Sequence, residues 1–205
     1  MASWESLNAL QLDALKEIGN IGAGNAATSL ANMLGRRVQM TVPRAGILPL
    51  KEIVSLVGEE EEAVACVELI VSGQAPSKIF FLLAEESALL LIDLMMGRQA
   101  GSTRTLDEMG VSVLLEVGNI LAGSFLNAFA EFSRLTFIPS VPAFACDMLG
   151  AVLTSAFLES GYFSDRALVI ETQFYDETVK ISSHFFLVPE EQALGTILKS
   201  LGLEI

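Results

Sequence analysis

A chain of 205 residues, 52% of them hydrophobic, has enough apolar material for a sizeable core in one or two domains. Its formal charge of −13, with no stretch where Lys and Arg cluster, excludes a nucleic-acid surface and leaves room for a partner that presents a basic patch or a lysine. Cys66 and Cys146 lack CxxC spacing and read as small, buried apolar residues of a reducing compartment, and no basic leader with a cleavage site opens the chain, so the expected location is cytoplasmic.

In chain order the first element is a long helix over 8–34. Its stretch "LKEIGNIGAGNAATSLANML" holds three glycines and three asparagines, although each interior glycine costs a helix about 1 kcal/mol relative to alanine. Gly35 fits its C-cap. A strand over 37–42, a helix over 50–57, strands over 63–72 and 77–84 and a helix over 86–97 follow. "GRQAGSTRT" (97–105) is the natural joint. The second half reads as a helix over 106–133, a strand over 136–141, a helix over 144–158, strands over 166–175 and 178–187, and a helix over 190–201. The segment 111–130 is long and apolar enough to span a membrane. It carries Glu116, Asn119 and Asn127 without flanking basic or aromatic anchors, so the expectation is a buried core helix and no membrane insertion.

The two halves match. Asp13–Pro43 lies on Ser112–Pro142 without a gap at an offset of 99, with seven of eleven positions identical between 14 and 24. "FFLLAEESALLLIDLMMG" (80–97) matches "FFLVPEEQALGTILKSLG" (185–202) at nine of eighteen positions, at an offset of 105. An internal duplication accounts for this. The expected architecture is α/β of the α+β type: a single domain over 1–205 built from two repeats, 8–97 and 106–202. Six strands would share one antiparallel, pseudo-two-fold sheet flanked by long helices; two separate halves are the alternative.

Residues three and four apart share a helix face. Asp13, Glu17, Asn20 and Gly24 therefore form one stripe, and Ser112, Glu116, Asn119 and Gly123 its copy, while Leu15, Ile18, Gly22 and their counterparts face the sheet. Gly24 and Gly123, lacking side chains, would clear space beside each asparagine. A single solvated Glu and Asn would need no explanation. Two copies do, because the neighbouring pairs Lys16/Leu115 and Asn25/Ser124 have drifted while these have not.

The pattern (D or S)-x3-E-x2-N-x22-P thus occurs twice: Asp13, Glu17, Asn20, Pro43, then Ser112, Glu116, Asn119, Pro142. It resembles the signature of the CheC/CheX/FliY family of chemotaxis phosphatases, and the resemblance spans essentially the whole chain. It implies hydrolysis of the aspartyl phosphate on the response regulator CheY. Asn20 and Asn119 would position the attacking water, and Glu17 and Glu116 would dock the regulator's lysine. The resemblance implies no cofactor of the chain's own, with Mg²⁺ carried by the partner CheY. It also implies binding of the receptor deamidase CheD. The short helix "AFACDMLGAVL" after Pro142 is the candidate surface for that, through Phe144, Asp147, Met148 and Leu149.

Other chemistries fit poorly. One histidine, His184, in a strand facing a core, and two remote cysteines make neither a zinc site nor a nucleophilic triad. "GNIGAG" has no preceding strand and no P-loop lysine. "EEEE" (59–62) is a solvated turn. The rival from another class is a non-catalytic adaptor that binds CheY or CheD, or a flagellar-switch module. Retention of both asparagines argues against it, since a docking surface alone has no use for the carboxamide.

Overall fold

The computed structural model describes residues 8–35, 39–159, 166–175 and 180–202, with backbone alone at 42–45, 47, 50, 156–159, 166–175, 180, 182 and 191. The first helix, α1 (Ala9–Leu34), starts at a capping box in which Asn8 Oδ1 accepts from the Gln11 N–H at 3.0 Å and Gln11 Oε1 accepts from the Asn8 N–H at 2.8 Å. It ends at Gly35, which is left-handed at φ 65° as expected. The second long helix, α4 (Glu108–Ser133), has the same 26 residues. Asp107, 99 residues after Asn8, caps its start through the Gly110 N–H at 2.7 Å, and Arg134, 99 after Gly35, is left-handed at φ 59°. Both helices therefore begin and end at equivalent places, enforced by local chemistry at their ends.

Between them run β1 (Gln39–Pro49), α2 (Leu50–Val57), β2 (Ala63–Gly73), β3 (Ser77–Ala84) and α3 (Glu85–Met95). After α4 come β4 (Phe137–Pro139), β5 (Ala143–Met148), α5 (Leu149–Glu159), β6 (Arg166–Tyr175), β7 (Lys180–Pro189) and α6 (Glu191–Ser200). The strands form one antiparallel sheet in the order β1-β6-β7-β3-β2-β4, with β5 also on β2. The chain exchanges strands between its halves: β1 pairs with the second half's β6, and β4 and β5 pair with the first half's β2. At the centre Phe80 faces Phe186 and Phe81 faces Phe185. Since Phe80 and Phe81 match Phe185 and Phe186 in the repeat, this pairing maps onto itself when the halves are exchanged, as a two-fold axis requires.

Two strand boundaries differ from expectation. Strand β1 does not stop near 42 but continues to Pro49, with its register shifting between Thr41 and Arg44, around Pro43. In the second half the segment 143–148, expected to begin a helix, is strand β5, and the helix starts only at Leu149. Pro142 lies in the break between β4 and β5, which run along the same neighbour, β2. The six expected strands thus become seven because one edge strand is split. Both prolines stand at interruptions of the two edge strands, where a missing N–H is tolerated and a bulge or break absorbs the irregularity.

Side chains alternate across the sheet. Ala65, Val67, Leu69, Ile79, Phe81, Phe185 and Leu187 pack with α1, α3, α4 and α6 in the larger core. Val64, Cys66, Phe80, Leu82, Phe186 and Val188 pack under α2 and α5. Phe125 of α4 stacks on Phe185 with ring centroids 4.3 Å apart, tying that helix to the sheet. Among the described residues α4 is the one helix long and apolar enough to cross a membrane, and half of its apolar window is buried in this core. The 97–105 joint folds back on α3: Asp93, wholly buried, accepts hydrogen bonds from the N–H groups and hydroxyls of Ser102 and Thr103. Burial pushes its carboxyl up, but the Thr103 and Ser102 hydrogen bonds outweigh that and hold it at about 2.

Candidate functional site

On α1 the side chains of Asp13, Glu17 and Asn20 are exposed, and Gly24 is exposed beside them. On α4 Ser112, Glu116 and Asn119 are exposed and Gly123 is half-buried. The opposite face holds Leu15, Ile18, Gly22, Ala26 and Leu30 on α1, and Leu114, Val117, Gly118, Leu121 and Phe125 on α4, all buried. The structure therefore brings each Glu-x2-Asn pair onto one solvent-facing helix turn, with the two residues about 4.5 Å apart in rise along the axis. Among the described residues, none hydrogen-bonds to the Asn20 or Asn119 carboxamide or pairs with Glu17 or Glu116. Each asparagine keeps its full complement of donors and acceptors free for water and for a ligand.

The glycines divide into two groups. A Cβ on Gly22 would come 2.8 Å from Phe125 Cδ1 and 3.1 Å from Phe125 Cα, and one on Gly118 would come 2.7 Å from Val67 Cγ1. These two serve close contact of α1 with α4 and of α4 with the sheet. A Cβ on Gly24 or Gly123 would meet nothing within 4 Å. Those two leave open surface beside the asparagines.

The copies differ at their first position. The Ser112 hydroxyl donates to the Glu108 carbonyl at 3.0 Å, folding back on its own helix. Asp13 is exposed on the surface. Pro142 is half-buried in its strand break, and for Pro43 the backbone position in β1 is described.

Of the four residues of the second candidate surface, Leu149 is buried and Phe144 half-buried, and Phe144 packs against the larger core. Asp147 and Met148 are exposed on β5 rather than on a helix, and they point to opposite sides of that strand. The short apolar run "AFACDM" is as compatible with a buried helix turn as with a strand, and its pairing with β2 decides the matter. Cys66 is buried, and burial, then neighbouring Glu68, pushes its thiol up to about 12. Cys146, by contrast, is exposed on β5, which corrects the expectation that both cysteines are buried. His184 lies in β7, parallel to the Phe186 ring at 6.1 Å, and burial lowers its pKa to about 4.

Two exposed side chains on the stripes were not singled out from the sequence. Leu10 and Met109 are 68% and 56% exposed and lie one turn before Asp13 and Ser112. Extending the 99-residue offset one turn upstream pairs them.

With this geometry in place, comparison with known proteins gives a consistent answer. The sequence model of the CheC-like family matches residues 10–47 and 109–145, the two stretches that carry the stripes. The chain is 32% identical, over all of its own length and all of the relative's, to the CheY-P phosphatase CheC of Bacillus subtilis. The flagellar motor switch phosphatase FliY of that organism is 28% identical over 58% of this chain and 31% of its own. Among solved structures, Thermotoga maritima FliY superposes with a TM-score of 0.78 at 22% identity, covering 96% of this chain and 98% of that one. The Helicobacter pylori FliM middle domain reaches 0.72 at 10% identity, over 95% and 99%. With full-length identity to one relative, and with the family's matched segments falling on the two helix stripes, the chain belongs to the CheC-like family.

Proposed function

We propose that the protein hydrolyses the aspartyl phosphate of the response regulator CheY. The observation that carries this reading is the pair of solvent-facing Glu-x2-Asn turns, Glu17/Asn20 and Glu116/Asn119, each without a partner among the described residues, on the end-matched helices α1 and α4. The full-length relative named as a CheY-P phosphatase supports it.

An acyl phosphate is already labile, so positioning and charge stabilisation are what a protein must add. The Asn20 or Asn119 carboxamide accepts a hydrogen bond from a water and holds it in line with phosphorus. Water oxygen bonds to phosphorus as the bond to the aspartyl oxygen breaks, giving aspartate and inorganic phosphate. The Glu17 or Glu116 carboxylate pairs with the regulator's active-site lysine and sets the register of the helix over the phosphate. The Mg²⁺ belongs to CheY, and the chain contributes no cofactor of its own. Open surface at Gly24 and Gly123 lets the regulator's backbone approach the asparagine.

The same reading makes this a cytoplasmic, single-domain protein of two repeats, 8–97 and 106–202, and the matched helix ends and exchanged edge strands support that organisation. It also includes binding of CheD, with exposed Asp147 and Met148 of β5 as the contact. The decisive experiment follows loss of phosphate from phosphorylated CheY with and without the protein. Decay no faster than that of CheY alone would overturn the proposal.

A further inference from the structure

We infer that Leu10 and Met109 are apolar anchors that seat the phosphorylated regulator domain on each stripe. The inference rests on the phosphatase reading above and adds to it the residues that set affinity. Both side chains are more than half exposed, at 68% and 56%. A single exposed apolar residue is ordinary and needs no explanation. Here, however, one stands at the same place in both halves, seven residues before the glutamate. Seven residues are about 10.5 Å along a helix and return to within about 20° of the starting direction. Leu10 therefore continues the line of Asp13, Glu17, Asn20 and Gly24, and Met109 continues its copy.

Among the described residues, the other large exposed apolar side chains do not meet this test. Met33 and Phe132, 44% and 47% exposed, are also 99 residues apart, but each lies about 160° around its helix from the glutamate. Ile70, Ile138, Val141 and Met148 belong to β2 and to the β4–β5 edge, not to the two stripe-bearing helices.

The occupant follows from continuity with the site. A specific interface covers about 800 Å² per partner, so a domain centred on Asn20 or Asn119 reaches 10 to 15 Å along the helix and covers the anchor. There is also an electrostatic reason for an apolar contact. A chain of net charge −13 repels a phosphoryl group on approach, and a carboxylate and a carboxamide orient the regulator more than they hold it. Burying an exposed Leu or Met side chain adds affinity that this repulsion does not oppose.

The test is a titration of the full chain with CheY carrying beryllofluoride and Mg²⁺ as the acyl-phosphate mimic, together with turnover of phosphorylated CheY. Leu10→Gln with Met109→Gln keeps helix propensity and should weaken Kd and raise KM about tenfold while kcat holds. The exchange Leu10→Met with Met109→Leu should retain wild-type affinity. An unchanged Kd in the Gln variant, or a fall in kcat alone, would overturn the anchors while the phosphatase reading stood. A wild-type chain that neither bound nor dephosphorylated CheY would overturn both.

Discussion

Gly22 of α1 lies directly against Phe125 of α4, so close that a Cβ on the glycine would sit 2.8 Å from the ring and 3.1 Å from the Phe125 backbone. This contact sets how closely the two stripe-bearing helices approach, and Phe125 passes the constraint on to Phe185 in the sheet. Gly24, two residues on and so about 200° round the helix, meets nothing within 4 Å. Gly22→Leu should therefore destabilise the protein by about 1–3 kcal/mol through overpacking. Gly24→Ala with Gly123→Ala should instead stabilise it by about 1 kcal/mol per site, because alanine is the better helix former, and should weaken binding of phosphorylated CheY. Urea denaturation and a binding titration on the same variants separate the two effects.

Asn20→Ala combined with Asn119→Ala should lower turnover of phosphorylated CheY by about a hundredfold or more, since a truncated side chain no longer aligns the water. Both positions are exposed, so the melting temperature should not fall. Each single change should leave substantial activity, because each helix carries its own glutamate and asparagine. Loss of all activity in either single variant, at saturating substrate, would point to a composite or one-sided site. The Ser112 hydroxyl is turned onto the Glu108 carbonyl, and this gives the two sites a structural reason to be unequal.

Glu17→Lys with Glu116→Lys should weaken binding of the phosphorylated regulator by several kcal/mol, since like charges would then meet across the interface. Among the described residues the glutamates have no partner to lose, so folding should be unaffected. Equal affinity of variant and wild type in a titration would show that these carboxylates do not dock the regulator.

The Asp93 cluster makes a pH-dependent contribution. Its folded pKa, about 2, lies below the ordinary aspartate value of 3.8. The contribution is therefore present above the unfolded pKa and fades as pH falls from about 4 towards about 2. Asp93→Ala should lower the melting temperature by several degrees at neutral pH, as the N–H groups of Ser102 and Thr103 lose their acceptor. The gap to wild type should close on acidification across that window. A gap independent of pH would assign the effect to packing instead.

Asp147→Lys reverses an exposed charge on edge strand β5 and should abolish capture of CheD in a pull-down. Among the described residues the Asp147 carboxylate accepts from its neighbour's N–H alone, at 2.7 Å from Met148, so the strand should survive the change. Full capture by the variant would move the CheD surface elsewhere, the exposed face of α5 being the next candidate.

The sequence by itself determined the long helices, the glycine that ends the first, the pairing of the halves and the two Glu-x2-Asn stripes. These features depend on interactions between residues close along the chain: side-chain-to-backbone caps, three- and four-residue spacing, and glycine at a left-handed end. Arg134 shows the limit even there, because it takes the left-handed position of Gly35 without the residue type that signals it. Tertiary structure decided what depends on partners distant in sequence. Whether "AFACDM" becomes strand or helix is settled by β2 lying beside it, some 80 residues away. That the halves exchange edge strands appears only in the long-range pairings of β1 with β6 and of β4 and β5 with β2. Which glycines of the two helices serve packing and which leave open surface depends on Phe125 and Val67, and no spacing within either helix encodes those contacts. Exposure of Cys146, Leu10 and Met109 has the same origin, since an apolar side chain reports its burial only once its neighbours are in place.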